Sequence, residues 1–101
     1  MVHIDQAMRL EYDPEKDAIN RVRHGVGLAF GARVFEDAYV EITPTIREGD
    51  EEDRFKAIGY VDGKLWTALH VWRDDVIRFG SVRRSNGGEQ RDYHSDPRGP
   101  E

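Results

Sequence analysis

RFKAIGYVDGKLWTALHVW, residues 54–72, decides the fold. Two runs of alternating side chains flank Asp62-Gly63, a dipeptide that readily takes the left-handed conformations of a two-residue hairpin turn. Working outward, a third alternating run, Val76 to Arg84, follows Asp74-Asp75, so three strands form an antiparallel meander. Upstream, Tyr39 to Thr43 alternates and stops at Pro44, which supplies a fourth strand. Arg9 to Tyr12 is a further short strand candidate.

Alternation fixes which side chains share a face. With two-residue turns at Asp62-Gly63 and Asp74-Asp75, Gly59 opposes Trp66, Phe55 opposes His70, His70 opposes Phe79, and Trp66 opposes Arg83. One face then carries Phe55, Ala57, Trp66, Ala68, His70, Trp72, Phe79, Ser81 and Arg83. The other carries Arg54, Lys56, Ile58, Tyr60, Leu65, Leu69, Val71, Arg78, Val82 and Arg84, and this aliphatic face with a basic fringe is expected to receive the helices. A slip of one residue would exchange every assignment on the third strand.

DPEKDAINRVRHG, residues 13–25, is the clearest helix. Asp13 suits the N-cap and Pro14 the first turn. Glu15 favours the positive end, Arg21, Arg23 and His24 the negative end, and Gly25 closes it. Ala18, Ile19 and Val22 form an apolar stripe. A second helix is predicted over Leu28 to Glu36 and a short one over Glu89 to His94. The fold class is therefore α+β: two N-terminal helices on an antiparallel sheet of about four strands, with a short C-terminal helix. Residues 1–94 are expected to form one domain and 95–101 a loose tail.

The 101-residue chain carries a formal net charge of -5, with acids concentrated in EGDEED at 48–53. That balance argues against nucleic-acid binding by the whole surface and leaves room for a local basic site. There is no cysteine, which excludes disulfide scaffolds, thiolate metal sites and thiol nucleophiles. No apolar run approaches the roughly 20 residues of a membrane span. A cytoplasmic protein is expected. The histidines are scattered, so neither a metal nor another cofactor is predicted.

RFGSVRRSNGGEQRDYH, residues 78–94, gathers arginines, serine, tyrosine and histidine. In the register above, Trp66, His70, Ser81 and Arg83 share a surface on which a ring could stack a base and a guanidinium hold phosphate. Arg78 and Arg84 fall on the opposite face, where the plain reading is a solvated strand end. Arg84 is nevertheless kept with Ser81 and Trp66 as a candidate substrate contact. His24 is a candidate proton-transfer group, because imidazole exchanges protons near neutral pH; the plainer reading is a helix-end cap. His70 reads as a packed histidine, and His3 as uninvolved.

Four motifs in order carry a family resemblance. DPEKDAINRVRHGVGLAFGARVFEDAYVEI resembles the opening of BrnT toxins, with N-x-x-K/R-H-G-V at Asn20 to Val26 and V-F-x-D at Val34 to Asp37. EDRFKAIG is similar to their E-x-R-x-x-x-I-G hairpin, DVIRFGSVRRS to R-I-I-S-A-R-K-A, and EQRDYH to a terminal E-R-x-x-Y helix. The resemblance covers about residues 9–94. It implies a RelE-like ribonuclease fold and a toxin of a type II toxin–antitoxin pair that inhibits translation by cutting RNA without a metal. It also implies a BrnA-like ribbon-helix-helix antitoxin partner in a hetero-oligomer, with operator DNA reached only through that antitoxin. Carried onto this chain, it makes Arg83 the phosphate-stabilising residue, with Arg54, His24 and Tyr93 as further catalytic candidates. The plainer reading of Trp66 and Trp72 is a core or antitoxin contact. The chain departs from the pattern at Gly27, Gly80, Val82 and Gly87-Gly88, and the last pair is expected to interrupt the final helix. The alternative reading is a non-catalytic toxin-like module that acts in antitoxin pairing or operon repression.

Overall fold

The computed structural model describes residues 9–45 and 52–95. His3, Glu51, most of the acidic run and the tail after Ser95 lie outside the described residues. The strands are β1 (Arg9–Glu11), β2 (Glu41–Pro44), β3 (Phe55–Val61), β4 (Lys64–Arg73) and β5 (Val76–Arg84). They form one sheet in the order β1-β5-β4-β3-β2. β1 lies parallel to β5, and the other pairings are antiparallel. The sheet is thus mixed and five-stranded rather than antiparallel with about four strands. An alternating run announces a strand but carries no information about its neighbour's direction.

Both hairpin turns have two residues. Val61 pairs with Lys64 across Asp62-Gly63, whose φ values of 51° and 79° are both left-handed. Arg73 pairs with Val76 across Asp74-Asp75. Gly59 opposes Trp66, Phe55 opposes His70 and His70 opposes Phe79, as the alternation requires. The register then shifts: Leu69 opposes Ser81, Thr67 opposes Arg83, and Trp66 opposes Arg84. Gly80 is the extra residue of a β-bulge. Beyond it, Val82 and Arg84 join the face of Ala68 and Trp66, and Arg83 moves to the other. The expected grouping of Arg83 with Trp66 and His70 is therefore corrected. The slip arises inside the strand and not at the turn.

The aromatic face, not the aliphatic one, receives the N-terminal segment. Ala57, Ala68, Ile77, Phe79 and Val82 pack there against Leu28, Val34 and Phe35. Small residues decide this. A Cβ at Gly59 would lie 2.6 Å from the Val34 carbonyl oxygen, and one at Gly31 would lie 2.5 Å from the Phe79 ring. Glycine at both positions lets backbone and ring approach closely. The segment Leu28 to Glu36 is not one helix: a 3-10 turn, Leu28–Phe30, leads into a single α turn, α2 (Gly31–Val34). Gly27 offers no side-chain cap, and the Asp17 carboxylate accepts the Leu28 amide at 2.7 Å instead.

The first helix, α1 (Pro14–His24), has the predicted caps: Asp13 accepts from the Glu15 amide, and Gly25 is left-handed. Its orientation is the reverse of ordinary amphipathic packing. Asn20 is its buried residue, whereas Ala18, Ile19 and Val22 are exposed. Asn20 explains the inversion. Its side-chain amide donates to the Val82 and Val26 carbonyls at 2.8 Å each, and its oxygen accepts from the Val82 amide at 3.0 Å. β1 pairs with β5 only as far as Arg78, so this side chain takes over as edge partner.

The last helix, α3 (Gly87–Ser95), covers the opposite sheet face, with Tyr93 against Ile58 and Leu65. Asn86 and Glu89 close its first turn reciprocally: the Glu89 amide donates to Asn86 Oδ1 and the Asn86 amide to Glu89 Oε1, both at 2.9 Å. This is a capping box. Gly87 and Gly88 occupy the first two positions inside it, and the helix is not interrupted there. No helix among the described residues is long and apolar enough to cross a membrane.

Candidate functional site

The bulge at Gly80 opens two adjacent depressions, which share Gly80 and Lys16. The first, about 230 Å³, is lined by Arg54, Arg73, Arg78 and Lys16, with Glu52 as its one lining carboxylate among the described residues. Arg73 donates to both Glu52 oxygens at 2.9 Å, and these bonds hold the Glu52 carboxyl below its usual range. Arg78 lies 3.3 Å from Glu11. The second depression, about 260 Å³, is lined by Lys16, Arg23, His24, Ile19, Asn20 and Ser81, with no carboxylate among the described residues. A Cβ at Gly80 would meet nothing within 4 Å, so the gap stays open because no side chain fills it. Lys16 and Arg23 come from α1, seven residues apart on one side of the helix. The combined groove is cationic although the chain is acidic, and its size suits phosphate and ribose rather than a large apolar ligand.

The predicted residues divide among three places. Arg54 lines the first depression, and His24 and Ser81 line the second. Trp66 and Arg84 sit together farther along the sheet, the guanidinium 5.8 Å from the ring centroid, with Phe30 packed against the ring at 4.8 Å. Arg83 and Tyr93 lie on the opposite face beneath α3. Arg83 donates to both oxygens of Glu89 at 2.7 Å. Thr67 donates to Glu89 at 3.0 Å, and Lys56 approaches it at 3.4 Å. Burial alone would raise the Glu89 carboxyl, which is only 2% exposed. The bonds from Arg83, the Asn86 amide and Thr67 outweigh that and pull it to about 2. Arg83 thereby already holds a carboxylate in the geometry it would offer to phosphate.

Tyr93 donates from its hydroxyl to Asp37 at 2.7 Å. Burial first, then this bond, push the phenol well above its ordinary value. Asp37 also accepts from the amides of Tyr39 and Tyr60 at 2.8 Å each. Asn20, Asp37, Lys16 and Arg23 were not singled out from the sequence. Asn20 and Asp37 stand inside the quoted motifs, and a polar residue amid an apolar helix pattern was the available signal. From the sequence Arg23 reads only as a charge favouring the negative helix end, and the structure places it with Lys16 at the second depression.

His70 is 3% exposed among Phe35, Phe55, Trp72 and Phe79. Its Nδ1 meets the Ala68 carbonyl at 3.0 Å, and its Nε2 has no partner among the described residues. Burial lowers its pKa, and the Ala68 bond opposes this in part. It is the packed histidine expected from its neighbours.

A small mixed α+β domain with a cation-lined groove beside a strand bulge is suited to a polyanion. The family model of the ribonuclease toxin, BrnT, of type II toxin–antitoxin systems matches residues 12–89, and the chain belongs to that family. No curated protein matches it. Membership in a toxin–antitoxin family implies an antitoxin partner.

Proposed function

We propose that this chain is a metal-independent endoribonuclease toxin whose RNA site is the groove at Gly80. The observation that carries the reading is the placement of Lys16, Arg23, His24 and Ser81 around one depression and of Arg54 in the adjoining one, across the shared Gly80 and Lys16, in a chain of the ribonuclease toxin family. The ribose 2'-hydroxyl attacks the adjacent phosphorus, the 2'-O–P bond forms, and the P–O5' bond breaks. A 2',3'-cyclic phosphate and a 5'-hydroxyl end result. His24 is assigned the proton of the 2'-hydroxyl. Arg54 and Lys16 are assigned the phosphorane charge, and Arg23 and Ser81 the neighbouring phosphate and ribose. Water at the open rim supplies the proton of the leaving 5'-oxygen.

In this reading Arg83 and Tyr93 hold α3 on the sheet, and Arg84 and Trp66 form a stacking pair farther along the sheet. The sheet is of the RelE type, and the domain extends over residues 1–94. RNA cutting inhibits translation in the cytoplasm. A BrnA-like ribbon-helix-helix antitoxin neutralises the toxin and brings the complex to operator DNA. The test is induced expression of the chain alone in a bacterial host, tracking growth and total RNA. Growth arrest with RNA loss, relieved by Arg54→Ala and His24→Ala at equal soluble protein, is the expected result. Normal growth with intact RNA from folded wild-type protein would favour the non-catalytic binding module.

A further inference from the structure

The outward face of α1 carries Val22 at 87% and Ile19 at 51% exposure, with exposed Ala18 beside them. The helix is anchored by polar groups instead: Asn20 on β5 and Asp17 on the Leu28 amide. Apolar side chains on a helix ordinarily face the core, so a stripe turned outward on an otherwise well-anchored helix marks a contact surface. Ile19 also lines the second depression, so the stripe continues directly into the groove. On that flank stand Lys16 and Arg23, which have no carboxylate partner among the described residues. On the other flank, Arg21 is already paired with Asp17 at 3.0 Å.

We infer that this surface is where the antitoxin docks, laying an amphipathic helix with acidic flanking residues along α1 and over the mouth of the groove. The inference rests on the proposed RNA site, and it makes neutralisation a matter of occupancy. Apolar residues of the partner helix cover Val22, Ile19 and Ala18, and its carboxylates meet Lys16 and Arg23 where RNA phosphates would lie. A second copy of this chain is a poor occupant. A symmetric contact would bring two sets of Lys16 and Arg23 together. RNA alone satisfies the cations and leaves the stripe wet.

The test uses the full chain, the antitoxin encoded beside it, and a short single-stranded RNA. Val22 and Ala18 touch neither depression, so Val22→Glu with Ala18→Glu leaves the groove intact. The pair is expected to weaken antitoxin binding at least tenfold by titration calorimetry, with the thermal melt and antitoxin-free RNA cleavage unchanged. Val22→Lys is expected to weaken binding less than Val22→Glu, as an acidic partner requires. Saturating antitoxin is expected to displace the RNA. Unchanged antitoxin affinity in the double variant, simultaneous binding of antitoxin and RNA, or a wild-type self-dimer that Val22→Glu dissociates would each overturn the inference. If wild-type protein cuts no RNA, the functional reading fails on that arm, while the calorimetry still decides the docking surface.

Discussion

The side chain of Asn20 pairs with both backbone groups of Val82, 62 residues away, and so continues the sheet where β1 ends. One side-chain amide replaces a strand's worth of edge contact and fixes α1 against β5 beside the Gly80 bulge. Removing it strands the Val82 amide and two carbonyls. Asn20→Ala should therefore destabilise the domain by roughly 2–6 kcal/mol, given about 1–3 kcal/mol for each of the two buried Val82 groups, the Val26 carbonyl being only part-buried. Asn20→Asp should also fail to rescue it, because it retains the acceptor for the Val82 amide and loses both donors. Urea unfolding of the two variants measures the effect.

Arg83 and Glu89 form a second such relationship on the opposite face. Arg83→Ala leaves a buried carboxylate with its strongest partner gone, at a cost of about 3 kcal/mol. Replacing both residues should cost less than the sum of the single changes, with a coupling of about 1–3 kcal/mol in a double-mutant cycle. Arg83→Ala with full stability and lost RNA cleavage would instead place this guanidinium on the substrate.

Acid should weaken the fold in two steps. Burial depresses the folded-state pKa of His70 below 6.5, so the unfolded chain binds that proton first, and stability falls as pH drops below about 6.5. Glu89 is depressed from 4.5 to about 2, so its contribution is complete above pH 4.5 and is lost as pH falls toward 2. Chemical unfolding across pH 3–7 should show both windows. His70→Phe should flatten the upper one and leave the lower one in place.

The legible parts of this molecule were those fixed by local chemistry. Asp62-Gly63 set the first hairpin register, and Asp13, Pro14 and Gly25 bounded α1. The bulge at Gly80 is not legible, because an alternating run reads the same with or without an extra residue, yet it exchanges the faces of Arg83 and Val82. The facing of the sheet is not legible in its aliphatic residues, because the close approaches at Gly31 and Gly59 decide it. The apolar stripe of α1 was read correctly as a pattern, but the pattern cannot say whether the surface it meets belongs to the same chain. Of the candidate site, His24 and Ser81 line one depression at Gly80 and Arg54 lines its neighbour. Arg83 and Tyr93 carry the same chemistry but are engaged with Glu89 and Asp37.

The most direct test is cleavage of a defined single-stranded RNA by the purified chain in excess EDTA, with analysis of the product ends, for wild type and Gly80→Leu. A Leu side chain at Gly80 enters open space, so the fold should hold while the groove fills. The account predicts 2',3'-cyclic phosphate ends from wild type and at least a hundredfold slower cleavage by a folded Gly80→Leu protein. Equal cleavage by the two would contradict the placement of the RNA site at the bulge. Loss of wild-type activity on adding EDTA would contradict a metal-independent route.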